Sequence, residues 1–211
     1  MKTRRSLHRI AANPARSRAA LRLTSPGISV PEILDIAAYA HDNMGSVEHI
    51  SARDYYTGPL HDIIMAPFLF PNPSRFSNGR FGVLYSAFDL ATATAEHGYH
   101  LARFARNMHL TQHIFHRLHI TLETAANLRD LHDEDKRIFD PNDYTESQRL
   151  GVELHRARTR GILYPSVRRH PGLCAGFFFP RAIKNPQQLS SIAYSWKGNS
   201  LEAYEKPINL N

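Results

Sequence analysis

Most residues able to do chemistry gather in one stretch of this 211-residue chain, Ser74 to Arg103, which reads SRFSNGRFGVLYSAFDLATATAEHGYHLAR. Arg75 carries a planar fork of donors suited to a phosphate or a carboxylate. Tyr85 carries a ring and a phenol. Glu96 lies among Thr92, Ala93 and Ala95, whose small side chains permit close approach of another element. Each has a plainer reading: a solvated loop arginine, a core-filling tyrosine, and an acid on the solvent face of a helix, since carboxylates are rarely buried unpaired. Periodicity alone does not decide between them.

Farther along, Ser166 follows Tyr164-Pro165, where a serine also serves as ordinary turn chemistry. Cys174 sits in an apolar run with no visible environment for a thiolate, so it reads as packed rather than nucleophilic. His109, His113, His116 and His119 would converge on a metal only if their segment were helical. Ile114 to Leu122 alternates as a strand does, which splits these imidazoles between two faces and argues against a metal site. No Walker, Rossmann or zinc-knuckle spacing occurs.

The elements that must hold these groups follow from the same residues. Asn78-Gly79 predicts a turn with a positive φ, Phe81 to Ala87 a strand, and Asp89 the cap of a helix beginning near Leu90, with Leu90, Ala93, Thr94, Leu101 and Phe104 on its apolar side. Ser6 to Ala12 predicts a first strand or short helix, and Pro31 to Ala40 a packing helix. Ile63 to Phe70, hemmed by prolines, predicts a short strand or a turn-rich connection. Ile114 to Leu122 and Asn127 to Leu131 predict strands, and Thr145-Glu-Ser-Gln148 a capping box opening a helix that ends before Gly161. Ile162 to Val167 and Leu173 to Phe179 predict a hairpin, and Ala193 to Trp196 a last edge strand. Interleaved helices and strands with late hairpins indicate an α+β domain.

Arg75-Phe-Ser-Asn-Gly-Arg-Phe-Gly-Val-Leu-Tyr85, followed by Thr92-Ala93 and by Glu96 eleven residues beyond Tyr85, resembles the RES domain, named for an arginine, a glutamate and a serine. Gly161-Ile-Leu-Tyr-Pro-Ser-Val-Arg168 looks like that family's third motif, with Ser166 its serine. Leu7-His8-Arg9-Ile10 looks like the first, for which Arg53 in Ser51-Ala-Arg-Asp54 competes. Phe76 stands where many members have tryptophan. The resemblance implies a single domain like the ADP-ribosyltransferase fold, with a central twisted mixed sheet and flanking helices. Residues 1–30 would form a basic segment carrying the first strand, 31–190 the catalytic domain, and 191–211 an edge strand and tail.

The resemblance further implies a toxin of a bacterial toxin–antitoxin pair that takes NAD as substrate, needs no other cofactor, and breaks the nicotinamide–ribose bond. Water, phosphate or a protein side chain would be the acceptor. Glu96 would face the ribose, Arg9 or Arg53 and Arg75 the phosphates, Phe76 a stacking surface, and Tyr85 with Ser166 the nicotinamide end. A helix-turn-helix antitoxin would be the partner, with homo-oligomers formed through that complex.

Composition sets wider bounds. The net charge of +7 favours an anionic partner, which leaves a nucleic-acid-binding or RNA-cleaving protein as the competing class. Arginines at 149, 156, 158, 160, 168 and 169 form a basic cluster, read either as a solvated face or as a phosphate site. A single cysteine suits a reducing cytoplasm, and no apolar run approaches the roughly 20 residues that span a bilayer.

Overall fold

The computed structural model describes residues 5–12 and 50–207. Its frame is an eight-stranded sheet ordered β10-β9-β5-β1-β4-β8-β7-β6. The strands are β1 (Arg5–Ala12), β4 (Leu84–Ala87), β5 (Gln112–Thr124), β6 (Arg129–Asp130), β7 (Gly161–Pro165), β8 (Leu173–Phe177), β9 (Lys184–Lys197) and β10 (Ser200–Pro207). A separate small hairpin joins β2 (Pro73–Ser74) to β3 (Ser77–Asn78). Within the main sheet β6 and β7 run parallel and the other pairings are antiparallel, so the domain is α+β with a mixed central sheet.

The first strand, only weakly marked in the sequence, is central. It pairs with β5 from Arg5↔Thr124 to Ala12↔Arg117, and meets β4 at His8↔Ala87. The helix expected over Pro31 to Ala40 lies outside the described residues.

Helices cover both faces. On one side α2 (Leu90–Asn107) and α3 (Thr145–Arg156) pack Leu101, Ala105 and Leu154 against Ile10, Ala87, Ile162, Cys174 and Tyr194. On the other, α1 (His61–Leu69) packs Ile64, Met65 and Phe68 against Leu7, Leu84, Leu122 and Phe177. The stretch expected to be a strand or turn-rich connection is thus a helix. It is apolar nearly all round, so no polar face betrays the 3.6-residue period, and Pro67 is accommodated inside it. A Cβ on Gly82 would lie 2.0 Å from the Pro67 carbonyl oxygen, so α1 sits directly on the backbone leading into β4.

Two other departures have local causes. Ala193 to Trp196 belongs to the 14-residue β9, which runs unbroken across residues 190 and 191 and lies inside the sheet; the edge is β10. The two join at Gly198-Asn199, with Gly198 at φ +70°, a hairpin signal visible in the sequence. The expected capping box does not form: Asp143 accepts from the Thr145 amide and hydroxyl, while Gln148 Nε2 donates to the Ser74 carbonyl at 2.9 Å. Gln148 therefore ties α3 to the hairpin that carries Arg75.

Candidate active site

Glu96 is positioned by a well-anchored helix. Asp89 caps α2 through the Thr92 amide (2.8 Å) and hydroxyl (2.7 Å), as its position predicts. The chain then runs back across β4 and β8 and brings Glu96, half-buried, over the sheet. Its Oε1 accepts a hydrogen bond from Ser166 Oγ at 2.6 Å, and the Cys174 thiol approaches the same oxygen at 3.9 Å. Its Oε2 has no partner among the described residues. Glu96 is therefore neither a solvent-facing acid nor a sealed one: one oxygen is fixed and the other is open.

Ser166 stands just past the end of β7. Its hydroxyl oxygen accepts the amides of Arg168 and Arg169 at 3.1 Å each, its own amide donates to the Gly172 carbonyl at 2.7 Å, and its single hydroxyl hydrogen goes to Glu96. One side chain thus closes the turn and holds Glu96. Arg169 fastens the same turn to the start of α2 through Thr92 Oγ1 (3.2 Å), with Asp89 3.6 Å away.

Arg75 is buried. Its Nη1 donates to the carbonyls of Ile138 (3.2 Å) and Asp140 (2.8 Å), and its guanidinium stacks on Tyr144 with 4.6 Å to the ring centre. Nε and Nη2 have no partner among the described residues, so a held arginine keeps donors in reserve. Tyr85 underlies this arrangement. Its phenol lies 2.9 Å from Ser74 Oγ and accepts the Phe76 amide at 3.0 Å, gripping the residues on either side of Arg75. Burial pushes the phenol up to about 12, so it stays protonated.

Three expected site residues stand differently. Phe76 is fully buried and meets Tyr164 edge to face at 5.0 Å, so the stacking surface implied by the resemblance is part of the core. A Cβ on Gly151 would lie 2.0 Å from the Phe76 carbonyl oxygen; glycine lets α3 press on the turn and seal that ring inside. Of the two candidate arginines, Arg9 lies in central β1 and donates from Nη1 to the Tyr85 carbonyl at 2.8 Å. By strand alternation it falls between Leu7 and Ala11, which pack toward α1, so it braces the backbone that presents Tyr85. Arg53 is exposed on a 3-10 turn (Ala52–Asp54), beside the Asp54–Arg158 ion pair, and no described contact joins it to Glu96 or Ser166.

The fold also brings beside Glu96 groups that sequence reading did not place there. The register Ala87↔Cys174↔Tyr164 sets three buried residues in a row beneath α2, and the charge of Glu96 reaches both Cys174 and Tyr164. Burial, and after it that neighbouring carboxylate, pushes the Cys174 thiol far above its ordinary value, which fits a packed residue. Arg168 lies over the Tyr99 ring, 3.4 Å from its centre. The signal for Arg168 was its two-residue distance from Ser166.

His113, His116 and His119 all lie on the extended β5, where alternation sets His116 on the face opposite the other two. His113 meets the Phe115 ring at 4.4 Å, and His119 bonds His8 (2.9 Å) and Ser190 (3.0 Å). Among the described residues, no group of three or more His, Cys, Asp and Glu side chains is arranged to hold a metal ion. No helix among them is long and apolar enough to cross a membrane.

One solved structure similar to this chain is the M. tuberculosis MbcT-MbcA toxin-antitoxin complex, at TM-score 0.46 and 10% identity over 90% of this chain and 86% of that one. No curated protein matches this chain. A family model for the RES domain matches residues 46–197. That span holds Arg75, Tyr85, Glu96 and Ser166 in the order the motifs require and covers most of the sequence, so this chain belongs to the RES domain family.

Proposed function

We propose that this protein is a toxin-type enzyme that breaks the bond between nicotinamide and ribose in NAD, on a scaffold of the ADP-ribosyltransferase kind. The observation that carries the reading is the state of Glu96: Oε1 is clamped by Ser166 at 2.6 Å and Oε2 is open. As the glycosidic bond stretches, its electron pair leaves with the nicotinamide, which departs neutral, and positive charge grows on the ribose. A carboxylate already oriented, and held by a neutral donor, stabilises that charge without reorganising at the moment of reaction. Arg75, buried and with open donors, serves the diphosphate. The Tyr85 phenol is spent on the Ser74–Phe76 turn, so its part is to hold Arg75 and to offer its ring to the nicotinamide end.

The acceptor adds to the ribose from solvent or from a partner, losing its proton. Water makes the protein a glycohydrolase, inorganic phosphate a phosphorylase, and a protein side chain a transferase. A cognate antitoxin would act by covering this mouth. Incubating the full chain with NAD, with and without phosphate, and following free nicotinamide by chromatography tests the reading. Release of nicotinamide is the expected result, and intact NAD at high enzyme concentration contradicts it.

A further inference from the structure

Arg75 and Arg168 converge on one short segment from different parts of the fold. Arg75 Nη1 donates to the Asp140 carbonyl at 2.8 Å, and Arg168 Nη2 donates to the carbonyl of the next residue, Pro141, at 2.5 Å. Consecutive Cα atoms lie about 3.8 Å apart, so the two guanidinium groups are anchored to neighbouring points on one strut. Each is also fixed by an aromatic face, Tyr144 for Arg75 and Tyr99 for Arg168.

Two cations brought together this way repel unless an anion separates them. Among the described residues no acid hydrogen-bonds either guanidinium, although the Arg75 charge is felt by Asp140. Asp140 turns its carboxylate to the amides of Asn142 and Asp143 (2.7 Å each), and Asp143 turns its own to Thr145. Arg168 Nε and Nη1 have no partner among the described residues, nor do Arg75 Nε and Nη2. Arg168 is also two residues from Ser166, whose hydroxyl touches Glu96, so its open donors belong to the same mouth.

We propose that Arg168 and Arg75 form a two-arginine clamp for a diphosphate, with the 138–141 segment as its buttress. The clamp deepens the NAD reading and rests on it for the identity of the whole substrate: a diphosphate gripped here leaves the attached ribose toward Glu96. It assigns a specific role to one arginine of a cluster that the sequence leaves open between a solvated face and a phosphate site.

The test is titration calorimetry of the full chain with ADP-ribose, which carries the diphosphate and no nicotinamide. Loss of a charge-assisted fork is expected to weaken binding about 10- to 100-fold in Arg168→Ala, with partial recovery in Arg168→Lys, which lacks the planar fork. Arg149→Ala removes equal charge from the outer face of α3, where Arg149 pairs with Glu146 and Glu153, and is expected to bind as wild type does. Thermal melts of each variant show whether the fold is retained. The clamp is overturned if wild type does not bind ADP-ribose, if folded Arg168→Ala binds within twofold of wild type, or if Arg149→Ala loses as much. Binding that follows the expected order in a protein that leaves NAD intact contradicts the cleavage reading and leaves the clamp standing.

Discussion

Ser166 Oγ donates to Glu96 Oε1 across 2.6 Å, joining residues 70 positions apart in sequence through the turn after β7 and the second turn of α2. This bond makes an otherwise ordinary helical acid into an oriented one. Ser166→Ala is expected to lower the turnover number for NAD about 10-fold through lost positioning, with a smaller change in KM. The amides of Arg168 and Arg169 also lose their acceptor, so the melting temperature should fall by an amount equivalent to about 1 kcal/mol. Ser166→Thr, which keeps the hydroxyl, should recover most of both; steady-state kinetics with a parallel melt decides.

Tyr85 acts through the turn it grips. Tyr85→Phe removes the acceptor for the Phe76 amide and the contact with Ser74, loosening Arg75. KM for NAD is expected to rise several-fold with little change in the turnover number. Because the phenol is raised to about 12, wild-type activity should show no tyrosine ionisation between pH 6 and 9. A wild-type profile breaking near pH 8 that disappears in Tyr85→Phe would contradict this assignment.

Gly151 permits the close approach of α3 to the Arg75 turn. Gly151→Ala places a methyl group where 2.0 Å separates it from the Phe76 carbonyl oxygen, so the helix must withdraw. Overpacking of this kind costs about 1–3 kcal/mol, or about 2–4 °C per kcal/mol for a domain of this size. Scanning calorimetry reads the loss, and a melting temperature equal to wild type would show that the helix backs away freely.

Acid stability has a defined origin. Arg117 Nε donates to His97 Nε2 at 3.1 Å, which requires that nitrogen to be unprotonated. Burial, and after it the Arg117 charge, holds His97 well below 6.5. Burial and His119 lower His8 in the same direction. The unfolded chain takes up these protons below pH about 6.5 and the folded chain resists, so this stability is complete above that pH and declines as pH falls toward 5. Melting temperatures from pH 8 to 5 should show the decline, and His97→Gln should lessen it, with His8 still contributing. A wild-type curve level across that range would contradict the account.

Much of this arrangement was legible in the residues themselves. Asp89 announced the start of α2, Asn78-Gly79 the turn with Gly79 at φ +92°, and the alternation in Ile114 to Leu122 a strand. These signals are local, and local chemistry decides them. Residues 63 to 70 misled because a helix buried on most sides has no polar stripe, leaving prolines as the loudest signal. Gln148 misled because a tertiary partner, the Ser74 carbonyl, outcompeted the local cap. Phe76 looked available for a ligand only because Gly151, 75 residues away, gave no hint that a helix would close over it. The pairing of Arg168 with Arg75 depends on a strut belonging to neither motif.

The central claim is that Glu96 carries the chemistry. Its most direct measurement is the single-turnover rate of nicotinamide release from saturating NAD by wild type and by Glu96→Gln, each shown folded by its melt. Glutamine keeps the size and can still accept the Ser166 hydrogen bond, but it removes the charge. The expected result is a fall of about 10²- to 10³-fold, equivalent to roughly 3–4 kcal/mol in the barrier, with ADP-ribose still bound. A folded Glu96→Gln protein that releases nicotinamide at the wild-type rate would contradict the account.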